Sequence, residues 1–198
     1  MKDILQKYLP EQSIEGVIQL LKLEQIYFKI VPGRVTKYGD YRKLRSGQAQ
    51  ISVNGDLNPY RFLITTLHEI AHAVAFKQYG INIKPHGKEW KLTFQKIMIP
   101  FLKSDIFPEK LLFYLKIHFQ NPRASTDTDV QLALCLDSYN ENTVTNTFIY
   151  ELLKGAKFRT SDGRVFIKDS KKTKRYVCIE EATGQQYLFQ PNAVIEPL

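Results

Sequence analysis

Five residues, His68-Glu-Ile-Ala-His72, constrain this chain more than anything in its composition. They lie in a run that Asn58-Pro59 opens as a helix: the Asn side chain can accept from free first-turn N–H groups, and Pro has no N–H to leave unpaired. The helix is expected to last to Tyr79-Gly80, where glycine tolerates a left-handed stop. At about 100° per residue, positions i and i+4 sit roughly 40° apart around the axis, so the two imidazoles face one point. Glu69 stands about 100° from His68, turned away from ligation yet within reach of a water at that point. Chance would supply about 0.004 copies of such a pattern in a chain this poor in histidine.

Two convergent imidazoles and an adjacent carboxylate suit zinc hydrolysis: the ion polarises a carbonyl and acidifies a water whose proton Glu69 takes. A catalytic zinc needs a third protein ligand and an open fourth position. His86 is the best candidate, 14 residues after His72 and beyond the Gly80 stop, so the chain can turn and bring a second helix's start back over the metal. Glu89 is the alternative third ligand. His118 has no partner at metal spacing and reads as a packing or helix-surface residue, and Trp90 as a packing residue beside the site.

Two cysteines, Cys135 and Cys178, cannot build a disulfide framework or a four-thiolate zinc site. The apolar share of 43% fits a globular chain, and no apolar run is long enough to span a membrane. Asp3, Gln6 and Lys7 interrupt the stretch where a leader peptide needs an apolar run, so a cytoplasmic protein is expected. A net charge of +8 makes nucleic acid a partner to consider. Two basic clusters carry that reading. Lys37, Tyr38, Tyr41, Arg42, Lys43 and Arg45 interleave rings with cations, as single-strand binders do; Lys171, Lys172, Lys174 and Arg175 crowd one hairpin.

Periodicity predicts an α+β chain. Ile14, Val17, Ile18 and Leu21 mark a helix, and alternation over 26–31 and 49–54 marks two strands, with a further strand or hairpin between them turning at Gly39-Asp40. Helices are expected over 87–98, stopped by Pro100, over 108–119, and over a short run capped by Asp127. The first sheet should be small and mostly antiparallel. Residues 141–147 read as a linker. Residues 148–198 then carry five short strands around Phe158, Phe166, Tyr176, Tyr187 and Phe189, with a Lys-rich turn at 168–174, suggesting a barrel-like or sandwich-like subdomain without metal.

Leu67-His-Glu-Ile-Ala-His72 followed by Pro85-His-Gly-Lys-Glu-Trp90 resembles the SprT-like zinc metalloprotease family, the Spartan/SprT type, over roughly residues 10–120. The resemblance implies a zincin-like metalloprotease domain over 1–140. It assigns His68, His72 and His86 to one catalytic Zn²⁺ and Glu69 to the general base. It also implies an endopeptidase acting on protein substrates, including DNA-bound or DNA-crosslinked ones; the tyrosines interleaved with cations at 37–45 make single-stranded DNA the preferred nucleic acid. The zinc ribbon common in the family is missing here, since Cys178 has no partner at C-x-x-C spacing. A catalytically inactive SprT-like DNA-binding module is the competing expectation. A monomer away from membranes fits either.

Overall fold

Asn58 opens the longest helix among the described residues. Its side chain accepts from Arg61 N at 3.0 Å, Pro59 fills the first helical position, and α3 runs Pro59–Tyr79 until Gly80 takes φ 84. In this computed structural model, residues 1–140 and 147–198 are described, and they fall into two units, Met1–Glu141 and Asn142–Leu198. The linker expected at 141–147 lies outside the described residues apart from Thr147. No described helix is long and apolar enough to cross a membrane.

The first unit mixes helix and sheet. A short helix α1 (Lys2–Leu5) precedes α2 (Ile14–Leu23), which buries Ile14, Val17, Ile18 and Leu21, the stripe its periodicity marks. Three strands follow, β1 (Tyr27–Val31), β2 (Gly39–Lys43) and β3 (Ala49–Asn54), in the order β1-β3-β2. The sheet is mixed rather than mostly antiparallel. β2 pairs antiparallel with β3, but β1 pairs parallel with it, from Tyr27↔Gln50 to Val31↔Asn54. Alternation shows which side chains face a core and is blind to the direction of the neighbouring strand. The expected turn at Gly39-Asp40 is likewise corrected: both residues open β2, and the chain reverses at Leu44–Gln48, where Gly47 has φ 86.

Helix α3 packs on this sheet, with Phe62, Leu63, Leu67, Ile70 and Ala71 fully buried beside Ile51 and Val53. Each large side chain withdrawn from water contributes about 1.5–3 kcal/mol. Helix α4 (Lys88–Met98) covers another side with Trp90 and Phe94, and Pro100 sits inside a 3-10 turn, Ile99–Phe101, that continues it. Helices α5 (Glu109–His118) and α6 (Val130–Asp137) close the unit. Asp127 does not cap α6. It lies in a separate turn, Thr126–Thr128, and its carboxylate pairs with Arg61, 66 residues away, while Asp129 occupies the cap position.

The second unit is one antiparallel sheet of β4 (Thr147–Phe148), β5 (Lys157–Arg159), β6 (Val165–Lys172), β7 (Arg175–Glu180), β8 (Gln186–Phe189) and β9 (Val194–Pro197), in the order β4-β9-β5-β6-β7-β8. Among the described residues, no second sheet makes a sandwich and no pairing of β4 with β8 closes a barrel. The sheet instead curls. Phe158 of β5 and Phe189 of β8 lie three strands apart, about 14 Å on a flat sheet, yet their ring centroids are 5.4 Å apart. Phe158 and Phe166 are fully buried there, with Tyr176, Tyr187 and Phe189 partly buried against them. The expected Lys-rich turn is mostly strand, and the reversal falls at Thr173-Lys174. Lys168 points inward, donating to the carbonyls of Tyr150 and Leu152 with its ammonium 4.1 Å from the Tyr176 ring centroid.

Candidate metal centre

His68 and His72 project from the middle of α3, one helical turn apart, and His86 reaches them from the segment between α3 and α4. The three Nε2 atoms lie 3.1 Å (His68–His86), 3.1 Å (His68–His72) and 3.0 Å (His72–His86) from one another. A tetrahedral ion with imidazole bonds of about 2.05 Å would need ligand edges of about 3.3 Å, so the donor atoms stand close to the spacing one ion requires. This trio is the one group among the described residues placed to hold a metal ion, and Glu89 is not part of it.

His86 gets there through its backbone. Its φ of 59 is unusual for a residue with a side chain, and it is followed by Gly87, whose N–H closes a turn onto Lys84 O at 2.8 Å. A Cβ on Gly87 would come within 2.9 Å of that same carbonyl oxygen. The His-Gly pair therefore folds the segment sharply enough to aim the imidazole back at α3. Trp90, 1% exposed, packs against all three imidazoles, with centroids 4.7 Å from His68, 5.2 Å from His72 and 4.7 Å from His86.

Burial holds all three imidazoles below their ordinary pKa, aided at His68 and His72 by the neighbouring imidazoles; His72 is pushed down to about 4. They are neutral at pH 7, the form that donates a lone pair to a metal. Burial likewise pushes Glu69 up to about 8, with Asp40 adding to the rise and Arg34 and Lys37 opposing it. A dication at the trio would pull that carboxyl down again.

Glu69 and the trio line one cavity of about 600 Å³. The segment leading into β2 and residues 123–127 also line it. β2 crosses Glu69 so closely that a Cβ on Gly39 would lie 2.6 Å from Glu69 Oε1 and 2.7 Å from Thr65 Cγ2. Gly39→Ala should therefore displace the carboxylate and cost about 1–3 kcal/mol of stability in denaturant unfolding, with metal stoichiometry intact. Wild-type stability in that variant would mean that β2 does not press on Glu69. Nothing in the sequence pointed to Gly39, because the contact joins a strand and a helix far apart in the chain.

The two basic clusters fare differently. Tyr41 stacks on Phe76 with centroids 5.4 Å apart and lies against His72 at 6.3 Å, and Tyr38 covers the Arg61 guanidinium at 5.1 Å. Both rings line the cavity, and Tyr38 remains partly exposed. Lys37 pairs with Asp40 at 2.7 Å, while Arg42, Lys43 and Arg45 belong to β2 or its turn. In the second unit Lys154, Lys157, Arg159 and Arg164 all pair with acids. Lys171, Lys172, Lys174 and Arg175 are exposed and form no ion pair among the described residues. His118 is buried, with Nδ1 3.3 Å from Asp129 Oδ2, and is not part of the metal trio.

An α+β unit in which α3 and the segment after it present convergent imidazoles defines a class, a domain with a candidate metal centre. Residues 17–107 match the SprT-like family model, so this part of the chain is similar to the SprT-like family. The chain is 33% identical over 98 residues to Protein SprT of Pseudomonas fluorescens strain Pf0-1, covering 45% of this chain and 60% of that protein, with the same values for strain Pf-5. It is 46% identical over 33 residues to Protein SprT of Pseudomonas aeruginosa strain LESB58, covering 17% of this chain and 20% of that one. The match thus spans about three fifths of the length of the first of these relatives. No solved structure matches the chain.

Proposed function

We propose that the protein is a zinc-dependent endopeptidase of the SprT-like type, its first unit zincin-like, with His68, His72 and His86 holding the ion and Glu69 acting as general base. The observation that carries this is the convergence of three neutral Nε2 atoms within 3.1 Å in the cavity that Glu69 also lines. Three imidazole ligands leave a fourth position open, the pattern of a catalytic rather than a structural zinc. The chemistry zinc supplies when bound is Lewis acidity toward a carbonyl and an acidified water. Glu69 takes the proton of the attacking water and returns it to the departing amine. β2 is an edge strand of its sheet and lines the cavity, so its unpaired backbone groups are available to an extended substrate chain.

The protein substrates are DNA-bound or DNA-crosslinked, with the unpaired cations at Lys171–Arg175 touching single-stranded DNA and a cytoplasmic monomer doing the work. Metal content and cleavage of an unfolded protein, with and without single-stranded DNA, test the reading. Affinity for DNA should fall with salt at a log–log slope of about −0.7 per phosphate contact, and charge reversal at Lys171, Lys172 and Lys174 should flatten it. No binding at about 50 mM salt would leave the charge as a solubility feature. Binding without any proteolysis would instead favour an inactive DNA-binding module.

A further inference from the structure

Arg61, in the first turn of α3 and 4% exposed, touches elements of both cavity walls. Its Nη1 donates to Asp127 Oδ1 at 2.6 Å and its Nη2 to Asp137 Oδ1 at 2.8 Å. The Tyr38 ring lies over the guanidinium with its centroid 5.1 Å away, near enough to Asp127 and Asp137 for their charges to add to the rise that burial gives its phenol pKa. Tyr38 and Asp127 both line the cavity, one from the segment leading into β2 and the other from residues 123–127, and both contact Arg61. Asn58 adds a second tie from the same turn, donating to Leu136 O at 2.9 Å.

The wall 123–127 lies beyond the SprT-like match, whereas Tyr38 and Arg61 lie within it. Residues 123–127 are therefore tied to the matched part of the chain through the buried Arg61 side chain, beside the Asn58 tie to Leu136. A guanidinium serves two carboxylates and a ring face at once because its donors form a rigid planar fork; an ammonium has no such fork. We infer that Arg61 is a positioning residue that holds residues 123–127 against the β2 side and so fixes a cleft width that admits an extended, unfolded polypeptide and excludes folded domains. The substrate part of this inference rests on the protease reading, and the wall-fastening part does not.

The test uses the zinc-loaded 198-residue chain with Arg61→Gln, Arg61→Lys and Asp127→Asn. Asp127 is partly exposed, so the last change leaves the core intact and decides the matter if Arg61→Gln fails to fold. Amide hydrogen exchange should quicken by about tenfold or more in 35–41 and 123–129 for Arg61→Gln and Asp127→Asn, with α3 around His68–His72 unchanged and zinc content equal to wild type. The substrate probe is lysozyme, native or reduced and alkylated. Wild type should cleave only the unfolded form. Arg61→Gln and Asp127→Asn should raise its KM about tenfold at near-constant kcat, since what is lost is binding shared by ground and transition states, and Arg61→Lys should recover part of it. A purely structural arginine would lower the melting temperature and leave exchange and KM of the folded fraction alone; that result overturns the inference. If wild type cleaves neither form, the protease reading fails while exchange still decides whether Arg61 fastens the wall.

Discussion

His72→Ala and His86→Ala should each strip the protein of its metal. Structural zinc sites are worth about 10–16 kcal/mol, so one of three ligands accounts for several of those and its loss should weaken binding by at least about 10²–10³-fold. Competition with a chromophoric chelator reads that change. A second readout is thermal: added zinc should raise the melting temperature of wild type, because the ion binds the folded chain, and should leave either variant unmoved. The two variants probe different physics. His72 is fixed by helix geometry one turn from His68, whereas His86 depends on the positive φ that turns its segment back over α3. Full zinc retention by His86→Ala would remove it from the ligand set and make Glu89 the next residue to test.

Glu69→Gln should keep zinc, fold and the close fit beneath Gly39, yet lose proteolysis by about 10²–10⁴-fold. The amide matches the carboxylate in shape and still accepts a hydrogen bond, but it cannot take a proton from water. Turnover of a labelled unfolded protein, normalised to bound zinc, measures this directly. Unchanged turnover would strip Glu69 of its role as base.

The parts of the site legible in the sequence are those set by short-range geometry. Asn58-Pro59 marks the start of α3, and the four-residue spacing puts His68 and His72 on one side of it, because a helix repeats every 3.6 residues whatever surrounds it. His86 was nameable as a partner from its distance along the chain and the Gly80 stop. Its backbone φ of 59 was not, since only the closed turn against Lys84 reveals it. Strand positions were likewise readable from alternation at 49–54, while the parallel pairing of β1 with β3 was not.

The remaining features depend on residues that meet across long stretches of chain. Asp127 looked like a local cap for the next helix, and the fold gives it to Arg61 instead, because a buried guanidinium must find carboxylates wherever the packing brings them. Tyr38 and Tyr41 read from the sequence as rings interleaved with cations, and the fold adds contacts with Arg61, Phe76 and the cavity that no local pattern announces. Gly39 looked like a turn, and the fold uses its missing side chain to let a strand pass over Glu69. By itself the sequence determined the helix, the imidazole pair and the carboxylate beside it, all consequences of local backbone repeat. The third imidazole's approach, the two walls and their spacing were decided only by tertiary packing, because each is set by contacts between segments whose separation in the chain carries no information about their distance in space.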